Sequence, residues 1–406
     1  MSYTVDRRTV LKSATAAGVA TALAGCSGGG GGSEADARVG VLQPATGDLG
    51  NLGAPIQDAG ALPGVQLADT DYEIDIRRED TETTPEVGIE RAQALADAGY
   101  PSVTGAASSG VTIAVAEDVF FEEEVVGISP ASTSPDITPM NGEYLLRTAP
   151  TDALQSQAAA QVGFEDEGLE SASTMYVNND YGQGLSDAFV SAYEDLGGEV
   201  LTTEAFEKEQ SSYDSVLSSV LADDPDMLYV IGYPASGEQI FRNFYENYDS
   251  GSTTILVSDG LQDDALPGNV DNAMTNVLGT APAAVGPGRD TFDQLFEDEY
   301  GSEPGVFTAQ AYDATVVHIL AQLQADELSG SAVSEQIRAV ANPEGEVIEP
   351  DSLVDGLEMA ANGDEIQYQG ASSAVEFDEN GDLRAATFDV FEFSEGGYDV
   401  TQQIDL

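Results

Sequence analysis

Two short stretches rich in small hydroxyl residues stand out among the side chains able to do chemistry. "GAASSGVT" occupies residues 105–112 and "SPASTSPDIT" residues 129–138. Each reads as the loop after a strand, where a helix starts, and this groups Ser108, Ser109, Ser132 and Thr133. Hydroxyls together with the free N–H groups of a helix start can hold an anion without any basic residue. A carboxylate suits such a site. Ser109 and Ser134 also read as simple helix caps, and capping is compatible with ligand binding. Other strand ends carry a different set: Tyr181 in "NNDYGQG", Tyr233 in "IGYPASGE" and Asp259 in "VSDG". Aromatic walls and one buried acid hold a cation beside apolar groups. An α-amino acid needs both halves, hydroxyls for its carboxylate and an acid for its ammonium. Taken singly, each tyrosine reads as a packing residue and Asp259 as a turn residue. Their recurrence on successive strand ends favours a site.

Enzymatic chemistry has little to work with. His318 is the only histidine and lies in the helical apolar run "AYDATVVHILAQL"; Cys26 is the only cysteine. No nucleophile elbow, phosphate loop or dinucleotide fingerprint occurs. One His and one Cys do not supply a zinc site. Catalytic residues, metals and cofactors are therefore not expected. Asp378, Asn380 and Asp382 in "FDENGDL" resemble the opening of a calcium loop, but Leu383 stands where that loop requires glycine. Asn380–Gly381 is by itself a hairpin signal, and two strands around a turn are expected over residues 373–393.

The charge balance is extreme. The 406 residues hold 73 Asp and Glu against 13 Lys and Arg, a formal net charge of −60. The only lysines are Lys12 and Lys208. Self-repulsion of this size destabilises a compact fold in dilute salt. At molar salt the screening length falls to about 3 Å, so the surface reads as adapted to high salt. A hydrophobic content of 41% argues against a disordered acidic chain. Without a basic patch, nucleic acid is not an expected partner.

The elements that must position these residues alternate. Strand patterns at 37–43, 73–80, the start of 101–110, 125–130, 172–180, 198–206, 227–233 and 253–260 alternate with helical patterns at 84–99, 111–123, 181–198, 212–226 and 236–248. Thr84 is placed to cap the first of these helices, with Pro85 at its first position. Such alternation predicts an α/β fold with parallel sheets covered on both faces. About 370 residues follow the glycine run, more than one ordinary core holds, and two doubly wound lobes are expected. Ligands of such sheets meet the loops at the carboxyl ends of the strands.

The N-terminus has the grammar of a targeting segment. Arg7, Arg8 and Lys12 precede a mild apolar stretch, residues 13–25, too short to span a bilayer. The twin arginines resemble a Tat export signal. "LAGC", residues 23–26, resembles a lipobox, in which Cys26 becomes the lipidated terminus. Residues 1–25 are then the signal and 26–37 a glycine-rich tether. The expected location is the outer face of the cell membrane, reached only through the lipid. A plain secreted protein and an uncleaved anchor are the alternatives.

In order along the chain, further stretches resemble the type 1 periplasmic-binding-protein superfamily, in particular the branched-chain amino acid receptors of ABC importers. They are "VGVLQPATGDLGNLG", "EDTETTPEVGIERAQALADAG", "GAASSG", "SPASTSPDIT", "RTAPTDALQSQAAAQV", "NNDYGQGL", "IGYPASGEQIFRN" and "FDENGDL". The resemblance implies Ser108 or Ser109, Ser132 and Thr133 at a ligand carboxylate. It implies Tyr181 and Tyr233 on the opposite wall, Asp259 at the ammonium and Asp313 on a helix approaching the cleft. Asp259 stands where a longer acid is usual and Leu52 where an aromatic is common. It also implies three hinge crossings, near Ala149, Pro282 and Ser373. Lobe 1 would hold residues 38–149 and 283–372, and lobe 2 residues 150–282 and 373–406. The implied partners are a small solute and an ABC permease, with the receptor working as a monomer. A receptor feeding a chemotaxis transducer and an amide- or urea-binding relative remain alternatives.

Overall fold

The computed structural model describes residues 35–140, 142–248 and 253–406. The signal, the tether and Cys26 lie outside the described residues, apart from the last residues of the tether. Strand β1 (Ala37–Gln43) has six of its seven residues buried, as expected for a β-branched run flanked on both edges. β2 (Ile74–Asp80), β3 (Ser102–Gly105), β4 (Val126–Ser129) and β5 (Leu145–Arg147) join it in a parallel sheet, order β2-β1-β3-β4-β5. A second sheet contains β6 (Ser171–Val177), β7 (Glu199–Phe206), β8 (Met227–Ile231), β9 (Thr254–Val257) and β10 (Val277–Pro282). A third, of two strands, pairs β11 (Glu346–Ile348) with β12 (Ile366–Tyr368). The second sheet is completed by β13 (Thr387–Ser394) and β14 (Gly397–Asp405), in the order β14-β13-β10-β9-β8-β6-β7.

Among the described residues, twelve α-helices cover the sheets: α1 (Gly50–Gln66), α2 (Pro85–Asp97), α3 (Ser109–Val115), α4 (Asp152–Ala160), α5 (Asp180–Leu196), α6 (Asp214–Val220), α7 (Pro234–Asn247), α8 (Leu266–Val270), α9 (Arg289–Tyr300), α10 (Thr308–Gln324), α11 (Gly330–Ala341) and α12 (Leu353–Asn362). The first sheet carries α1 and α10 on one face. On the other, Leu42, Leu95, Val103, Val111 and Val115 form a separate apolar cluster beneath α2 and α3. Helix α10 is buried almost throughout, its polar residues Gln310, Asp313, Thr315, His318 and Gln322 included. Within it His318 hydrogen bonds the Val103 carbonyl at 3.1 Å, and burial pulls its pKa down to about 3. It is a neutral packing residue.

Local departures from the sequence pattern have local causes. The helix expected over 111–123 starts at Ser109 and widens into a π-helical turn, Ala116–Phe120. Thr84 precedes α2 as expected, with Pro85 in the first turn, but its side chain does not cap; the hydroxyl turns back to the Thr81 carbonyl at 3.4 Å. The hairpin expected over 373–393 is mostly absent. Only Phe377 and Leu383 bridge, because Asp378 Oδ1 accepts the N–H groups of Asn380 and Asp382 and curls the segment into a tight turn. The extended hairpin is β13–β14, turned through Gly396.

The chain passes from the first layer to the second at 148–151 and returns at 283–288. It stays with the first layer past Ser373: Asn342 bonds both the N–H and the carbonyl of Phe377, and the Arg147 Nε–Asp382 Oδ1 pair is 2.6 Å. The last passage therefore comes after Arg384, later than the expected Ser373.

Candidate functional site

The loops at the carboxyl ends of the strands converge on one enclosed cavity of about 20 Å³ between the two sheet layers. From the first layer, Leu49, Leu52 and Ile56 follow β1, Ser108 and Ser109 follow β3, and Ala131 follows β4. Phe307 closes this side from the turn before α10. From the second layer come Tyr181 after β6, Tyr233 after β8, and Asp259 and Gly260 after β9. Gly260 is required here: a Cβ would run into the Gly232 carbonyl and lie 3.1 Å from Tyr181 Oη. A larger open groove of about 450 Å³ runs along the crossings past Thr148, Ala283, Ser372 and Leu406. It is mainly apolar and lacks a buried acid, so the enclosed cavity is the better candidate.

The second-layer wall is held by ring stacking and hydrogen bonds. The Tyr181 and Tyr233 rings stack at 5.5 Å and 11°. Tyr181 Oη donates to Asp259 Oδ1 at 3.0 Å and lies 2.8 Å from Ser258 Oγ. Asp259 is almost wholly buried. Burial pushes its carboxyl up to about 6, against the opposing pull of the Gln155 amide nearby and of the Tyr181 hydrogen bond. Tyr233 Oη accepts from Asn179 Nδ2 at 3.1 Å and meets Ser108 Oγ at 3.1 Å, tying the two layers together across the cavity. Further ties close the cleft's rim: Ser236 Oγ donates to Asp48 Oδ1 at 3.2 Å, and Lys208 Nζ reaches the Thr83 carbonyl at 3.4 Å.

The structure brings Ser108, Ser109, Tyr181, Tyr233, Asp259 and Leu52 together. Ser109 Oγ accepts the Ser134 N–H at 3.2 Å, joining the two hydroxyl loops. Ser134 caps the short 3-10 helix Pro135–Ile137. Ser132 and Thr133 do not line the cavity. Ser132 Oγ turns inward to Thr112 Oγ1 at 2.7 Å and to the Ala106 carbonyl at 3.2 Å. Thr133 Oγ1 is buried with no hydrogen-bond partner in the protein. Asp313 lies elsewhere. Its Oδ1 accepts from Tyr368 Oη at 2.7 Å and Ala371 N at 2.8 Å, and its Oδ2 from Ser372 N at 2.7 Å. It anchors the segment 368–372, which still belongs to the first layer, rather than facing the cavity. Leu49, Ile56, Ala131, Gly260 and Phe307 were not singled out from the sequence; their only signal was position next to strand ends.

Beneath Asp259 lies a second acid, Asp152, at the start of α4. It is fully buried, and burial and the Asp259 charge raise its carboxyl well above the usual range. Among the described residues, no helix is long and apolar enough to cross a membrane.

Residues 64–396 match the receptor family ligand-binding region (ANF_receptor), and the chain belongs to that family. The chemotactic signal transduction system substrate-binding protein BasB of Halobacterium salinarum is 27% identical over 304 residues, 73% of this chain and 71% of the relative. The Leu/Ile/Val-binding protein BraC3 of Rhizobium johnstonii is 25% identical over 371 residues, 89% and 93% of the two chains. The leucine-binding protein LivK of Thermotoga maritima shares the fold, with a TM-score of 0.77 at 23% identity over 91% of this chain and 98% of LivK. So does LivJ of Streptococcus pneumoniae in complex with isoleucine, with a TM-score of 0.74 at 18% identity over 91% and 99%. The fold is that of the type 1 periplasmic binding proteins, and the protein is a substrate-binding protein rather than an enzyme.

Proposed function

For this member of the receptor family we propose an extracytoplasmic receptor, anchored through a lipid on Cys26, that captures an aliphatic α-amino acid between two lobes and delivers it to an ABC permease. The observation carrying this reading is the Asp259–Tyr181–Tyr233 wall facing Ser108, Ser109 and the apolar side chains of Leu49, Leu52, Ile56 and Phe307. Asp259 would take the ammonium. The Ser108 and Ser109 hydroxyls, with the N–H groups at the start of α3, would take the carboxylate. The apolar wall suits a branched aliphatic side chain, to which it offers no hydrogen bond, and the cavity of about 20 Å³ would have to widen to admit it. Capture would pull the lobes together about the crossings at 148–151, 283–288 and after 384, with Asp48–Ser236 and Ser108–Tyr233 as contacts of the closed form. The names of BraC3 and LivJ's bound isoleucine favour the same solute class.

A second reading keeps the site and changes the listener: BasB is named for chemotactic signal transduction, and the closed receptor would then dock on a membrane transducer. Calorimetric titration with L-leucine, isoleucine and valine, beside leucinamide and 4-methylpentanoate, tests the site. The amino acids bind and both analogues, each lacking one charge, bind at least about tenfold more weakly. Equal affinity for leucinamide or 4-methylpentanoate removes the carboxylate or ammonium assignment respectively.

A further inference from the structure

Six buried oxygen atoms next to the cleft lack any hydrogen-bond partner within the protein: both carboxylate oxygens of Asp152, Thr133 Oγ1, Gln155 Oε1, Tyr229 Oη and Thr280 Oγ1. The five residues are each no more than 1% exposed. The fold gathers them. Asp152 and Gln155 stand one turn apart at the start of α4, and the Asp152 N–H is held by the Thr133 carbonyl at 2.8 Å. Gln155 Nε2 donates to the Thr280 carbonyl on β10 at 2.9 Å. Tyr229 sits on β8, one strand from β10 across β9, and Asp259 follows β9. Thr133 lies against Asp152 and Thr280 against Tyr229, near enough to bias their ionisation, yet neither pair has hydrogen-bonding geometry.

A buried carboxylate with no donor is costly unless a positive charge or several donors compensate it. The cation whose field reaches Asp152 is Arg147. Its guanidinium is already engaged by Asp382, the Ser134 carbonyl and Thr138. The orphaned groups present oxygen and not nitrogen or sulfur, the preference of hard cations. No group of three or more His, Cys, Asp or Glu among the described residues is placed to hold a metal, which disfavours a calcium or transition-metal site. Two carboxylates with several neutral oxygens match a smaller charge. On the amino-acid reading above, the ligand ammonium balances Asp259 and leaves one negative charge at Asp152.

We propose that Asp152, with Thr133, Gln155, Tyr229 and Thr280 around it and Asp259 beside it, forms a binding site for a single monovalent metal cation, Na⁺ or K⁺. The ion would sit under the amino-acid cavity and support the second-layer wall from behind. Thr133 comes from the first layer and the other residues from the second, so the ion would also favour the closed arrangement.

The test is thermal unfolding of the full chain without amino acid, at fixed pH and ionic strength, in NaCl, KCl and choline chloride. A saturable rise in melting temperature of about 2 °C or more is expected in at least one alkali salt over choline, and Asp152→Asn abolishes the difference. Crystals of the unaltered protein soaked in thallium(I), an alkali-ion mimic, should show an anomalous peak at Asp152, and this arm stands even if the variant fails to fold. Equal melting temperatures in the three salts with no thallium peak would overturn the proposal and leave Asp152 a protonated acid or a partner of ordered water. Because no amino acid is present, that result leaves the solute assignment of the cleft untouched.

Discussion

Replacing Asp259 by asparagine separates two effects of opposite sign. The ligand-free fold carries this carboxylate buried, with its pKa raised from 3.8 to about 6. A raised carboxyl pKa means the fold prefers the protonated form. At neutral pH, above both values, the ionised group therefore destabilises the fold, by about 3 kcal/mol from this difference. The penalty fades as pH falls through 6 towards 3.8. Asparagine removes the charge while keeping an oxygen for the Tyr181 hydroxyl, so Asp259→Asn should raise the melting temperature of the empty protein at pH 7.5. The same change removes the ammonium's partner. Truncating one side of a buried charge pair costs about 2–5 kcal/mol, a loss of roughly 30-fold to several thousandfold in affinity. Calorimetry with L-leucine, paired with thermal unfolding of both proteins without ligand, reads the two effects separately. A variant that binds leucine as tightly as the parent would refute the ammonium assignment. One that binds weakly and is also less stable when empty would refute the account of Asp259 as a strained, uncompensated acid.

The same acid sets a pH dependence. Leucine affinity should be flat above about pH 7 and fall by up to tenfold per pH unit as Asp259 protonates below about 6; titration calorimetry from pH 4.5 to 8 reads this, and a flat profile contradicts it. Tyr233→Phe deletes the hydroxyl that meets Ser108 across the cleft and should weaken leucine binding by about 1 kcal/mol, with no effect expected if the lobes close without that contact. Arg147→Met leaves Asp382 buried without its partner at 2.6 Å and should cost about 3–5 kcal/mol in urea unfolding; a loss below about 1 kcal/mol contradicts the pairing. Asp313→Ala strands the Tyr368, Ala371 and Ser372 donors and should lose at least about 3 kcal/mol of stability. Leucine affinity of the folded fraction should barely change, whereas a large loss would return Asp313 to the cleft.

Much of the fold was legible because parallel sheets write themselves plainly. A buried strand such as β8 is an unbroken apolar run, and the helices between strands keep a 3.6-residue period. Ser108, Ser109, Tyr181, Tyr233 and Asp259 were legible for the same reason: in this topology the residue just past a strand faces the cleft. What sequence could not give was side-chain direction. Ser132 and Ala131 are neighbours in one loop, yet the alanine lines the cavity and the serine turns to Thr112. Asp313 and His318 share a helix that is buried on all sides, with polar residues spread around it, so periodicity could not say which side meets the cleft. Asp152 read as the start of a helix, and only the packing of α4 against β10 sets it beneath Asp259. The 378–382 turn misled because Asn380–Gly381 suits a hairpin as well as the turn that Asp378 and Arg147 impose.

The central claim, a small amino acid captured between the layers, is tested most directly by a thermal-shift panel on the full chain in molar salt. The panel holds the twenty amino acids, short amides, short carboxylates and sugars. A solute that binds only the folded state adds about 2.7 kcal/mol of stability at a hundredfold excess over its dissociation constant. Leucine, isoleucine or valine should raise the melting temperature, and the amides, carboxylates and sugars should not. A shift from amides or sugars with none from any amino acid would contradict the account.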